Sequence, residues 1–174
     1  MQPPRTNTQK LTITALFIAI SFIGANISVF GTVAFDSLPA FLAALLLGPW
    51  YGAAIGFLGH FFTAMTSGFP LSVPLHLVIA VGMAITMLGF GICYRLLENK
   101  ASEKLNLAIT GAVGTVLNAP VALSLSMAAL AIMAGREAAM GLLVMLPMLV
   151  LVSVVNIVVA FAAFLTLRKV WGGA

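Results

Sequence analysis

The chain is a succession of apolar runs, most of them close to the length that crosses a bilayer, with its charges held in the short segments between them. A helix needs about 20 predominantly apolar residues to span the hydrocarbon core. Backbone polar groups cannot go unpaired there, which leaves helices and closed barrels as the spanning structures, and runs this long read as helices. Of the 174 residues, 62% are hydrophobic and 7% are charged, against about 25% charged in soluble domains. The expected fold is an all-α integral membrane protein, one polytopic domain over residues 1–174.

Behind a polar tail at residues 1–10, the six transmembrane helices are expected at about residues 11–30, 37–48, 50–66, 75–94, 105–134 and 140–167. Gly48-Pro49 stops the second run. It is short, and reads as a tilted or partly buried helix that does not face lipid along its whole length. Breakers between Ser67 and Pro74 make a loop, and Pro120 is expected to bend the long fifth run. With the amino terminus inside, Arg5, Lys10, Arg95, Lys100, Lys104, Arg168 and Lys169 share one side and Arg136 stands alone on the other. That bias puts both termini in the cytoplasm. The net charge of +4 is no nucleic-acid signal, because the basic residues flank spans instead of clustering. Cys93 is the single cysteine, so no internal disulfide can form.

Polar side chains inside the runs carry the functional information. A central Asp costs roughly 2.5–3.5 kcal/mol on insertion scales, so such groups have a partner or a task. Asn26, His60, Asn118 and Asn156 lie within runs, and Asp36 and His76 lie at helix mouths. In the third run Gly52, Gly56, Gly59, His60 and Thr63 share a helical face, which packs against protein; His60 either makes one hydrogen bond in a packing stripe or lines a pocket. Asn118, with Gly111, Gly114 and Thr115, and Asn156, with Ser153 and Ala160, either glue helices together or offer a donor and an acceptor to a neutral polar ligand. For Asn156, nearer the cytoplasmic half, glue is the better reading. Asp36 opens the second helix as an N-cap or faces a ligand, and His76 is an interfacial residue or a ligand contact. Asn26, Asp36 and His76 all fall toward the outer face, under the loops at residues 31–36 and 67–74. A site open to the outside follows. Ala15 and Ala19 form a small-xxx-small pair suited to close helix contact, within the chain or with a membrane partner.

Several chemistries lack their motifs. There is no G-x-x-x-x-G-K-[ST] phosphate loop, no H-E-x-x-H or cysteine pair for a metal, and no G-x-S-x-G nucleophile elbow. No cofactor is implied. The halves show no repeat of the inverted-transporter kind. A carrier without a visible energy source points to a separate motor.

The residues also resemble a family. Ala15-x-x-x-Ala19, Phe35-Asp36-Ser37-Leu38-Pro39, Gly48-Pro49-Trp50-Tyr51-Gly52-Ala53 running on to Gly59-His60, and Thr66-Ser67-Gly68-Phe69-Pro70-Leu71 are similar to segments of substrate-binding S components of energy-coupling factor (ECF) vitamin transporters, in the branch of pantothenate, cobalamin and α-ribazole carriers. The resemblance covers almost the whole chain. It implies a bacterial plasma-membrane subunit that binds a vitamin or vitamin precursor tightly, is no enzyme, and is powered by a coupling membrane protein and two ATPases. It implies that Ala15 and Ala19 meet the coupling protein, and that Asp36 and the stretch from Phe69 to His76 gate the pocket. Arg136 is the one basic residue on the outer side, which argues against strongly anionic ligands. Neutral Asn and His groups near Phe57, Phe61, Phe62 and Phe69 suit a ring-plus-sugar molecule. α-Ribazole is the expected ligand, with pantothenate or cobalamin as the alternatives. An intramembrane enzyme using His60 and Asp36, or a structural subunit, are the competing classes.

Overall fold

A computed structural model describes residues 6–26 and 37–171, with side chains over 6–24 and 37–168. Among these residues the chain is helical and no strand occurs. Helices α1 (Asn7–Asn26), α2 (Leu38–Leu46), α3 (Pro49–Thr66) and α4 (Val73–Leu97) come first. α5 (Glu103–Val116) continues through a π-helical turn (Leu117–Val121) into α6 (Ala122–Ala134). α7 (Arg136–Gly141) and a 3-10 turn (Leu142–Met145) lead into α8 (Leu146–Trp171). Among the described residues three stretches, Val73–Leu97, Glu103–Ala134 and Arg136–Arg168, are long and apolar enough to cross a membrane by length and composition. α1 opens with Asn7, Thr8, Gln9 and Lys10, and α3 gives buried positions to Gly52, Gly56 and Gly59.

α2 is the axis of the bundle. Every residue from Pro39 to Leu46 is buried, and α1, α3, α4 and α8 all pack against it. Phe41 meets Phe90 of α4 edge-on at 4.8 Å. Lipid tails are as apolar as leucine, so close packing holds such a helix, more than escape from water. Glycine permits the closeness. A Cβ on Gly52 would lie 2.6 Å from the Ala44 Cβ and 2.9 Å from its Cα, so α3 can reach α2 only with glycine there. Gly59 does the same where α3 meets Ser21 of α1.

Side chains close the end of the bundle where α2, α4 and α8 finish and α5 begins. The last carbonyls of a helix have no partner within it. Arg95 Nη2 donates to the Leu45 carbonyl at 3.3 Å, while Nη1 pairs with Glu98 at 3.1 Å. Asn106 Nδ2 donates to the Tyr94 carbonyl at 3.0 Å and its Oδ1 accepts from Thr110 at 2.9 Å, binding α5 to α4. An Arg168–Glu103 ion pair ties α8 to the start of α5.

The irregularity expected at Pro120 takes the form of the π turn. Proline has no N–H, and its ring crowds the carbonyl four residues back. A wider turn accommodates both within a continuous stretch. The last helical stretch also starts earlier than residue 140: Arg136, expected in a turn, opens α7.

Candidate functional site

A cavity of about 400 Å³ lies among the start of α2, the ends of α3 and α4 that flank their shared loop, the π turn, α6, the 3-10 turn and α8. Nineteen positions of α4 separate His76 on its wall from Arg95, about 29 Å of helix, so it occupies the end opposite the Arg95 cluster. Leu75, Ile79, Met83, Leu123 and Leu149 supply apolar surface. Ser37, His60, Thr63, Ser67, His76, Asn118 and Ser126 supply polar groups. No Asp, Glu, Lys or Arg lines it among the described residues.

The two histidines meet on this wall. His60 leaves α3 six residues before its end and His76 enters α4 three residues after its start, so the turn between them brings the rings together. His60 Nε2 and His76 Nδ1 are 3.3 Å apart. The Leu71 N–H, which can only donate, points at His76 Nε2 at 3.5 Å. His76 Nε2 is therefore an acceptor, a neutral His76 carries its hydrogen on Nδ1, and that hydrogen is given to His60 Nε2. Phe69 packs edge-on against His76 at 5.9 Å and against Phe61 at 5.9 Å. It braces the imidazole from outside the wall; none of Phe57, Phe61, Phe62 and Phe69 lines the cavity. The loop holding Phe69 is strained: Phe69 has φ 50 and Ser72 φ 98.

The π turn carries Asn118 to the wall. Its Oδ1 is buried with no hydrogen-bond partner, an exception among buried polar atoms, which are paired in the great majority. Asn156 is fully buried and does not line the cavity. Its Nδ2 donates to Ser37 Oγ at 2.8 Å, so it joins α8 to the entrance of α2. The N-cap position expected at Asp36 falls at Ser37, and α2 starts at Leu38. Asp36 and the side chain of Asn26 lie outside the described residues.

Sequence reading passed over Ser37 and Ser126. Ser37 stood within the stretch quoted for its neighbour Asp36, and a serine just before Leu38-Pro39 was the available signal of a helix start. Ser126 carries no signal; a lone serine in an apolar helix is ordinary. Ala15 and Ala19 do not line this cavity. They are exposed on α1 beside Leu11, Leu16 and Ile23, while Phe17 and Ser21 face inward. No group of three His, Cys, Asp or Glu side chains is placed to hold a metal ion among the described residues.

A family model described as "ECF transporter, substrate-specific component" matches residues 9–168. No curated protein and no solved structure matches the chain.

Proposed function

We infer the biology of this chain from one premise: it belongs to the family of ECF transporter substrate-specific components. It is the substrate-binding subunit of an importer and not an enzyme, and it works with a coupling membrane protein and two ATPases. The small molecule it takes is the open question, and the cavity supports one reading best. The ligand is α-ribazole, a benzimidazole joined to ribose, held by His60, His76 and Asn118 with Asn26, Asp36, Phe69 and Asn156 supporting the site.

The observation that carries this reading is the neutral, imidazole-bearing wall of a cavity of about 400 Å³. Pockets for small ligands run from about 300 to 1,000 Å³, and a two-ring base with one sugar belongs at the small end. Cobalamin, with its corrin macrocycle, is several times too large. Pantothenate brings a carboxylate, and no cation lines the cavity among the described residues; Arg136 is exposed on α7. Thr63, Ser126 and Asn118 match sugar hydroxyls, and Leu75, Ile79 and Met83 match a flat apolar ring.

The topology proposed with it has six crossings, both termini in the cytoplasm and the cavity at the outer face of a bacterial plasma membrane. In support, Arg95, Lys100 and Lys104 lie at the far end from the cavity, as a positive-inside bias requires.

Titrating the purified chain in nanodiscs with α-ribazole, pantothenate and cobalamin tests the substrate. Mass spectrometry of co-purifying small molecules tests it without a chosen probe. Submicromolar binding of α-ribazole without ATP, with the other two at least about a hundredfold weaker (about 2.7 kcal/mol), is the expected outcome. Preference for pantothenate or cobalamin would sink the reading.

A further inference from the structure

The wall hydroxyls are not alike, and the difference bears on which atom of the ligand each can meet. A hydroxyl has one hydrogen to give and two lone pairs to receive with. Thr63 gives its hydrogen to the Gly59 carbonyl at 2.8 Å, and Ser126 gives its own to the Ala122 carbonyl at 2.9 Å. Both therefore turn lone pairs to the cavity and suit hydrogen-donating ligand groups. Ser37 is set up the other way. Its Oγ receives a hydrogen from Asn156 Nδ2 at 2.8 Å. As the N-cap residue it makes no side-chain cap bond, and such a bond would in any case use a lone pair of Oγ and leave the hydrogen free. Its hydroxyl hydrogen is given to no acceptor among the described residues, while Ser37 is 3% exposed and lines the cavity. Its partner Asn156 is 0% exposed, so the bond is shielded from competing water.

We propose that Ser37 is the specificity-determining donor of this cavity and that Asn156 is its positioning residue: the amide of Asn156 occupies one lone pair of Ser37 and turns the hydroxyl hydrogen toward an acceptor atom of the ligand. The ligand class is thereby narrowed to molecules with donor groups on one side, toward Thr63 and Ser126, and an unprotonated acceptor on the other, toward Ser37. Resting on the α-ribazole reading, the acceptor is the unsubstituted ring nitrogen of the benzimidazole and the donors are the ribose hydroxyls.

The test compares α-ribazole with the matching indole riboside, in which that ring nitrogen is replaced by C–H, on the full chain in nanodiscs. The wild type is expected to prefer α-ribazole by about tenfold, the worth of one buried hydrogen bond. Ser37→Ala should bring the ratio near one. Asn156→Leu should lower it as well, and the double variant should lower it no further than Ser37→Ala alone. A ratio between two ligands on one protein is insensitive to partial loss of fold, which a merely structural Asn156 would cause. A wild type blind to the missing nitrogen, or a preference that survives Ser37→Ala, overturns the proposal.

A wild type that binds neither riboside fails the α-ribazole reading instead. The placement of Ser37 is then decided by Ser37→Cys in a Cys93→Ala background, treated with a small methanethiosulfonate reagent. Modification at a rate that Asn156→Leu changes supports the assignment, and a thiol that does not react overturns it.

Discussion

Ser72 has φ 98 and ψ 151, a region that glycine adopts freely and other residues enter at a cost of about 1–3 kcal/mol. Its hydroxyl is buried without a partner, so the side chain returns nothing for the strain. Ser72→Gly should therefore raise the stability of the detergent-solubilised protein, by about 1–3 kcal/mol, read as a higher midpoint of thermal unfolding. An unchanged or lowered midpoint would show that the backbone there is not strained. The position matters because Ser72 opens α4, and its carbonyl accepts from the His76 N–H at 3.1 Å. His60 gives the complementary prediction. It is half-buried and shares one hydrogen bond with His76, a bond worth about 0.5–1.5 kcal/mol to folding. His60→Phe keeps a ring of similar girth, so stability should fall within that range, while affinity for α-ribazole falls more than about tenfold, a loss above 1.4 kcal/mol. Equal losses of stability and affinity would make the pair a structural clasp.

At the scale of elements, the α2–α3 contact is a close seam that only glycine permits, and it yields a coupled prediction. Gly52→Val would drive a branched side chain into Ala44 Cβ, Ala44 Cα and the Ala40 carbonyl. Overpacking of this kind costs about 1–3 kcal/mol. Ala44→Gly in the same chain should recover part of it, a coupling read from a double-mutant cycle of thermal stabilities; simple additivity would mean the helices separate elsewhere. The glycine stripe that sets this seam was legible in the sequence, because spacings of three and four survive in any helix. So was the irregularity at Pro120, since a missing N–H acts locally. What touches the stripe was not legible: Gly52 meets α2, Gly56 meets α4 and Gly59 meets α1, three helices along one face. The histidine pair was hidden for a related reason. A place within a run for His60 and at a helix mouth for His76 gives no sign that they meet, yet His60 is six residues from the end of α3, about 9 Å, and the α3–α4 loop folds the two together. Ser37 and Asn156 are 119 positions apart, and no periodicity links residues in different helices.

For the whole molecule, the surfaces proposed for ligand capture and for docking are separate. The cavity belongs to one end of the bundle, whereas Ala15 and Ala19 lie on the exposed flank of α1, with Phe17 and Ser21 turned inward to α2 and α3. The flank is apolar, with Leu11 70% and Leu16 58% exposed, and the two alanines are its small side chains. Small side chains on an apolar flank let a second helix approach closely. An importer subunit without its own motor must dock to one, and this flank can do so without disturbing the cavity wall. Ala15→Trp with Ala19→Trp should therefore separate capture from transport. The isolated variant is expected to bind α-ribazole within about twofold of wild type, a difference of about 0.4 kcal/mol. Together with the coupling protein and both ATPases in proteoliposomes, ATP-driven uptake should drop at least about tenfold, and co-purification of the coupling protein should be lost, because a bulky ring holds the partner's backbone away. Single substitutions should give intermediate uptake, as each obstructs one of the two small positions. Undiminished uptake by the double variant would move the docking surface to another helix. Parallel loss of uptake and of ligand binding would show instead that α1 supports the cavity through Ser21, which sits where a Cβ on Gly59 of the histidine-bearing α3 would have to go.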